Sequence, residues 1–161
     1  MLIGEQPGAQ EDIAGRPFVG PAGKLLRAAL EAAGVDYGDL YVTNTVKHFK
    51  FERRDKARLH KRANASEQAA CRPWLAAELL RVRPSLVVAL GAMAAQTLFG
   101  AGFRLTVERG KWRSLDAGPK AMATWHPSAL LRMTSPGRER AHRQFSADIE
   151  ALAKAMRRSE E

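Results

Sequence analysis

Leu86-Val87-Val88-Ala89-Leu90-Gly91 is a run of five apolar residues closed by a glycine. A strand with one wet face alternates apolar and polar side chains. This run does not, which predicts a strand covered on both faces. Working outward, three more short apolar runs have strand character: Leu2-Ile3, Leu40 to Val42 and Ala121 to Trp125. Helical patterns separate them. Pro21 suits the first turn of a helix that repeats Leu25, Leu26, Ala29, Leu30 and Ala33 and stops at Gly34. Ser66 to Val82 sets Cys71, Leu75, Leu79 and Val82 on one stripe, with Pro73 expected to kink its early part. Ala92 to Phe99 closes at Gly100, and Glu139 to Met156 is amphipathic. Strands alternating with helices predict a three-layer α/β/α fold around a central four-stranded parallel sheet. Lys111 to Leu115 adds a small strand or hairpin arm. Phe49 to Ala65 reads as one long polar insertion, a loop of the kind that carries function or stays disordered.

The chain has 161 residues, 45% of them hydrophobic, and no apolar run near membrane-spanning length. That predicts a single domain over residues 1–161, monomeric, with a core of its own and no membrane partner. The single cysteine excludes an intramolecular disulfide framework, and no basic stretch followed by an apolar core marks a secretory leader. A cytoplasmic, nucleoid-associated protein is the expectation. Met1-Leu2-Ile3 runs straight into Gly4-Glu5-Gln6-Pro7-Gly8, so the chain opens inside a buried strand.

The net charge of +9 is unevenly spread. Between Lys47 and Arg62 lie eight cations against two carboxylates, which is two thirds of the excess; Arg132, Arg138, Arg140 and Arg143 form a second group. Such surfaces suit phosphate backbones, whose condensed counterions are released on binding. A solvated basic face that keeps the protein soluble has the same composition.

Ligands of open parallel sheets bind beyond the carboxyl ends of the strands. The residues there are Glu5, Gln6, Pro7 and Gly8 after the first strand, Asn44 and then His48 after the second, Gly91 after the third, and His126, Pro127 and Ser128 after the fourth. A carboxylate, a carboxamide and an imidazole thus meet at one crevice beside the basic insertion. Taken singly, Glu5 suits a helix N-terminus, Asn44 a turn, His126 a loop and Phe18 the core. Their joint placement favours a site.

The same residues carry a resemblance. Gly4-Glu5-Gln6-Pro7-Gly8-Ala9-Gln10-Glu11-Asp12 followed by Gly15-Arg16-Pro17-Phe18-Val19-Gly20-Pro21-Ala22-Gly23 resembles the first motif of iron–sulfur uracil-DNA glycosylases. Tyr41-Val42-Thr43-Asn44 with Val46-Lys47 is similar to the second, and His126-Pro127-Ser128-Ala129-Leu130-Leu131-Arg132 to the third. Gln6 after Glu5, and Lys56-Ala57-Arg58-Leu59-His60, resemble the UdgX branch, whose loop reads Lys-Arg-Arg-Ile-His; Ala57 and Leu59 depart from it.

That resemblance implies excision of uracil from DNA, single-stranded DNA favoured. Phe18 would stack on the base and Asn44 pair with its edge, with Gln6, Pro7, Gly8 and Ser128 completing the substrate wall. His126 would stabilise the departing base and Glu5 the sugar cation. His60 would attack the sugar and leave the protein bonded to the DNA. Lys56, Arg58, Lys61 and Arg132 would grip the backbone. An ordinary turnover glycosylase, in which His60 only holds phosphate, and a binding module without catalysis are the competing readings. The family also carries a 4Fe-4S cluster whose first two ligands form a Cys-x-x-Cys before the first motif. Here Cys71 matches the last ligand and His48 stands where ordinary members have a cysteine, so the ligand set is incomplete and the Cys-x-x-Cys segment is expected to be missing.

Overall fold

The computed structural model describes residues 1–116 and 118–160. Its centre is a five-stranded sheet. In chain order the strands are β1 (Leu2–Gly4), β2 (Val42–Asn44), β5 (Leu86–Leu90), β6 (Arg113–Ser114) and β7 (Lys120–Thr124). A separate hairpin pairs β3 (Phe51–Arg54) with β4 (Ala57–His60). The helices are α1 (Ala9–Ala14), α2 (Pro21–Ala32), α3 (Ala65–Val82), α4 (Ala92–Phe99), α5 (Leu105–Glu108), α6 (Pro127–Arg132) and α7 (Gly137–Glu160).

The sheet order is β2-β1-β5-β7-β6. The first four strands are parallel, as the alternation of strands and helices predicts; β6 joins the far edge antiparallel to β7. The four-stranded expectation is therefore corrected to five. The fifth strand falls inside Lys111 to Leu115 and pairs antiparallel with β7.

The apolar runs of the central strands are explained by two cores. Leu2, Val88, Leu90 and Met122 face α2, α6 and α7, where they pack with Leu26, Leu30, Leu130, Phe145 and Ile149. Their neighbours Ile3, Val87, Ala89, Ala121 and Ala123 face the other way, onto Leu75 of α3 and Ala94 and Ala95 of α4. Side chains of successive strand residues point to opposite faces, so a sheet sandwiched between helices needs an apolar residue at every position.

Local signals set the helix ends. Asn64 caps α3 through a reciprocal box: its side chain accepts from the Glu67 N–H at 2.9 Å, and Glu67 accepts from the Asn64 N–H at 2.8 Å. The helix runs as one element through Pro73. Gly91 begins α4 at φ 94° and Gly100 ends it at φ 100°.

The insertion differs from expectation. Residues 51–60 form a two-stranded hairpin, with Phe51 opposite His60 and Arg54 opposite Ala57. Its two-residue turn is Asp55-Lys56, and Asp55 adopts φ 53°, a left-handed conformation that aspartate tolerates better than most residues.

Candidate active site

The crevice lies where the strand order changes direction. From β1 the chain steps to β2 on one side and later to β5 on the other, so the carboxyl ends of β1, β2, β5 and β7 surround a gap. Pairing continues past the strands. The Thr45 N–H and hydroxyl both donate to the Gly4 carbonyl, at 2.9 and 3.0 Å, and the Val46 N–H donates to the Glu5 carbonyl at 2.9 Å. These bonds hold Glu5 beside the Asn44 turn.

Gly4 is the floor of the gap. A Cβ at this residue would lie 2.5 Å from Asn44 Oδ1 and 2.6 Å from Phe18 Cζ. Asn44 is buried, and among the described residues no hydrogen bond takes up its carboxamide. Phe18 is buried too, held at φ 54°, and its ring stacks on His126 with centroids 5.7 Å apart and planes 28° from parallel. The turn after Phe18 is fixed by Glu11, whose Oε1 accepts from the N–H groups of Val19 and Gly20 at 3.2 and 3.0 Å. The gap is thus walled by an aromatic face, an uncommitted amide and an imidazole.

His126 precedes α6, and its Nδ1 accepts the Ser128 N–H at 3.1 Å; the Ser128 hydroxyl lies 2.7 Å from the same nitrogen. An Nδ1 that accepts a backbone N–H carries no proton, which leaves Nε2–H as the ring's donor. Burial pushes its pKa down to about 4, helped by the positive charge of Arg132 and of His60. The ring is therefore a neutral donor at pH 7. Behind it, Gly91 is required: its φ is positive, and a Cβ there would come within 2.9 Å of the His126 Cβ. Glu5 is half-buried, and no ion pair engages it among the described residues.

Gln6, expected on the substrate wall, is committed elsewhere. Its Nε2 donates to the Lys61 carbonyl at 2.7 Å and its Oε1 accepts the Ala63 N–H at 2.9 Å. This buried amide ties the chain leaving the hairpin to the loop leaving β1. Arg58 makes a second tie, to Asp12 of α1 at 2.8 Å, with its guanidinium 5.2 Å from the ring centroids of both Phe49 and Phe51. His60 ends β4 with an exposed side chain, its ring 6.1 Å from that of Phe49. Pro7 lines a neighbouring cavity of about 320 Å³ with Arg16, Pro17, Asn44 and Lys47, and Gly8 precedes α1. Lys56 is exposed at the hairpin turn, Lys61 pairs with Glu52 at 2.7 Å, and Arg132 is exposed at the end of α6.

Reading the sequence alone missed Glu11 and Asp12, which brace the Phe18 turn and the hairpin. The two adjacent acids inside the first motif were the available signal. It also missed Lys47, which is paired with Glu78 and donates to the Asn44 carbonyl at 2.6 Å, so it steadies the Asn44 turn from behind.

Comparison with known proteins decides the family. The Uracil DNA glycosylase superfamily profile matches residues 1–152. The chain belongs to that superfamily. This superfamily member is similar to the type-4 uracil-DNA glycosylase of Thermotoga maritima, 36% identical over 137 residues that make up 84% of this chain and 67% of that protein. The type-4 enzyme of Pyrobaculum aerophilum is likewise 36% identical, over 82% of this chain and 67% of the relative. That of Saccharolobus solfataricus is 35% identical over 95% and 71%.

In this superfamily member two residues, Cys71 and His48, stand at positions expected to ligate a cluster. Cys71 is buried with Val46, Ala63 and Met93, and its Sγ accepts the Lys47 N–H at 3.5 Å. His48 is exposed. No grouping of three or more histidine, cysteine, aspartate or glutamate side chains suited to a metal occurs among the described residues. A 4Fe-4S cluster takes four ligands, two more than Cys71 and His48 supply. Among the described residues no helix is long and apolar enough to cross a membrane.

Proposed function

We propose that this chain excises uracil from DNA and then bonds to the resulting sugar through His60, as in the UdgX branch. The target nucleotide leaves its stack and enters the gap between Phe18, Asn44 and His126. The face of Phe18 stacks on the base. The free carboxamide of Asn44 supplies one donor and one acceptor, matching the O4 and N3–H of uracil and mismatching the N4 amine and N3 of cytosine. The C1′–N1 bond breaks with its electron pair going to uracil, and Nε2–H of His126 donates to O2 of the resulting anion. Because that imidazole is already neutral, it stabilises the anion by a hydrogen bond rather than by giving up a proton. The Glu5 carboxylate faces the cationic sugar.

The lone pair of a His60 ring nitrogen then forms the new bond to C1′, and the proton on the other ring nitrogen is lost to solvent. A well-aligned group reaches effective molarities of about 10⁵ M, far above water, so a positioned imidazole outcompetes hydrolysis. The observation that carries this reading is the Gln6 clamp: the residue after His60 is hydrogen-bonded to the residue after Glu5. Through that short path the hairpin end is coupled to the catalytic loop. To engage the sugar, the exposed His60 ring would turn into the crevice through a change of rotamer or a movement of the hairpin.

The experiment is incubation with uracil-containing single-stranded DNA followed by a denaturing gel. The expected result is a heat-stable shifted band for the wild type. His60→Ala loses the band and yields alkali-labile breaks instead. An unchanged adduct in His60→Ala removes the covalent step, and intact DNA with the wild type removes the glycosylase reading.

A further inference from the structure

A second concave surface lies at the opposite end of the sheet. It is a groove of about 990 Å³ running between the end of α3, the segment before β7 and the last turns of α7. Ser85 and Leu86 at the start of β5 and Lys120 at the start of β7 line it. The active site sits beyond the other ends of these strands, about 13 Å further along β5. No residue assigned to uracil, sugar or DNA backbone above borders the groove.

Two features define its chemistry. The walls are apolar: Leu79, Leu80, Leu86, Trp112 and Leu115 contribute from both halves of the core, and Leu80 is 78% exposed. Its polar lining includes four cations, Arg83, Lys120, Lys154 and Arg158, and no carboxylate among the described residues. A contiguous apolar trough gains from being covered by an apolar partner, and like charges around such a low-dielectric surface select ligands of opposite sign.

We propose that this groove binds an acidic protein segment that carries bulky apolar side chains. Its apolar residues fill the trough while its carboxylates meet Arg83, Lys120, Lys154 and Arg158. Nucleic acid fits less well. A phosphate backbone gains nothing from leucine walls, and single-stranded bases want a series of aromatic platforms, whereas Trp112 is the groove's single aromatic among the described residues. A peptide with alternating character satisfies both features at once. Because the two sites lie at opposite ends of the strands, such a partner could hold the protein without covering the DNA site.

The test uses the full chain and a fluorescein-labelled twelve-residue peptide alternating aspartate with leucine or phenylalanine, read by fluorescence anisotropy. Saturable binding is expected, unaffected by saturating uracil-containing DNA. Lys154→Glu/Arg158→Glu, two exposed positions on α7, should weaken it at least tenfold with uracil excision unchanged. Leu80→Ser, which alters no charge, should weaken it about fivefold. The proposal is overturned by equal binding of oligo-aspartate, by displacement with an unlabelled thymidine oligonucleotide, or by indifference to both variants. Self-association in sedimentation that Lys154→Glu/Arg158→Glu abolishes would assign the groove to a second copy and likewise overturn it.

Discussion

The Gln6 side chain donates from Nε2 to the carbonyl of Lys61, 55 residues further along the chain, at 2.7 Å. With Oε1 on the Ala63 N–H, one amide satisfies two backbone groups of the hairpin exit and spends both of its own polar ends. Gln6→Ala leaves those groups without partners in a buried place, a loss of about 1–3 kcal/mol. The expected outcome is a lower melting temperature, together with a fall in adduct yield that exceeds the fall in uracil release. Thermal unfolding and the denaturing gel, run on the same preparation, check it. Equal losses in both readouts would separate the clamp from His60 positioning.

Gly4→Ala tests the pocket. The added methyl would sit 2.5 Å from Asn44 Oδ1 and 2.6 Å from Phe18 Cζ, so both side chains must move off the base site. Uracil excision should drop at least about a hundredfold, the scale expected when reacting groups are misplaced by about 1 Å. Circular dichroism should remain that of the wild type. Excision within a fewfold of the wild type would show that uracil does not bind between these two residues.

The state of His126 gives a pH signature. Its pKa is lowered to about 4 in the folded protein, against about 6.5 in an unfolded chain. Between these values the unfolded chain binds the extra proton, so the stability associated with the neutral ring is complete above pH 6.5 and is lost as pH falls towards 4. Wild type and His126→Asn should therefore differ in the slope of stability against pH within that window, on the order of 3 kcal/mol in all. Chemical denaturation at several pH values measures the difference. Parallel curves would mean an unperturbed ring. Excision, relying on the neutral donor, should hold its rate down to about pH 5.

Charge on the hairpin should register in salt dependence. Lys56 is exposed at the turn and unpaired among the described residues. If it meets one phosphate, Lys56→Ala lowers the slope of log affinity against log salt by about 0.7 for single-stranded DNA, whatever the sequence. Titration at several salt concentrations reads this directly. An unchanged slope would leave Lys56 off the backbone.

The parts of the fold that were readable from sequence are those where one force dominates. β5 and α4 lie where the apolar run and its bounding glycines put them, because burial on both faces and a positive φ admit few other residues. β2 was displaced. Apolar character ends at Val42, but pairing with β1 continues through the polar residues Thr43 and Asn44. The hairpin was invisible as strand. All of its residues but Arg58 are exposed, so there is no buried face to impose alternation, and Asp55-Lys56 is not one of the strong turn pairs. The strand-end residues Glu5, Asn44 and His126 were readable as one crevice because parallel topology forces them together. That the Gln6 amide would bond to the hairpin exit was not, since an amide's partner depends on a loop 55 residues distant.

The register of the hairpin has one more consequence. Phe51 faces His60 across a two-strand ribbon that joins no other strand among the described residues, so the place of His60 along β4 decides which side of the ribbon the imidazole occupies. Lengthening the β4 arm by a single residue would rotate the ring to the far side, while two residues would return it to the near side and carry it further out. If His60 bonds to the sugar as proposed, ribbon length is in that sense a parity dial, able to turn a self-trapping reaction into a recycling one with His60 itself unchanged.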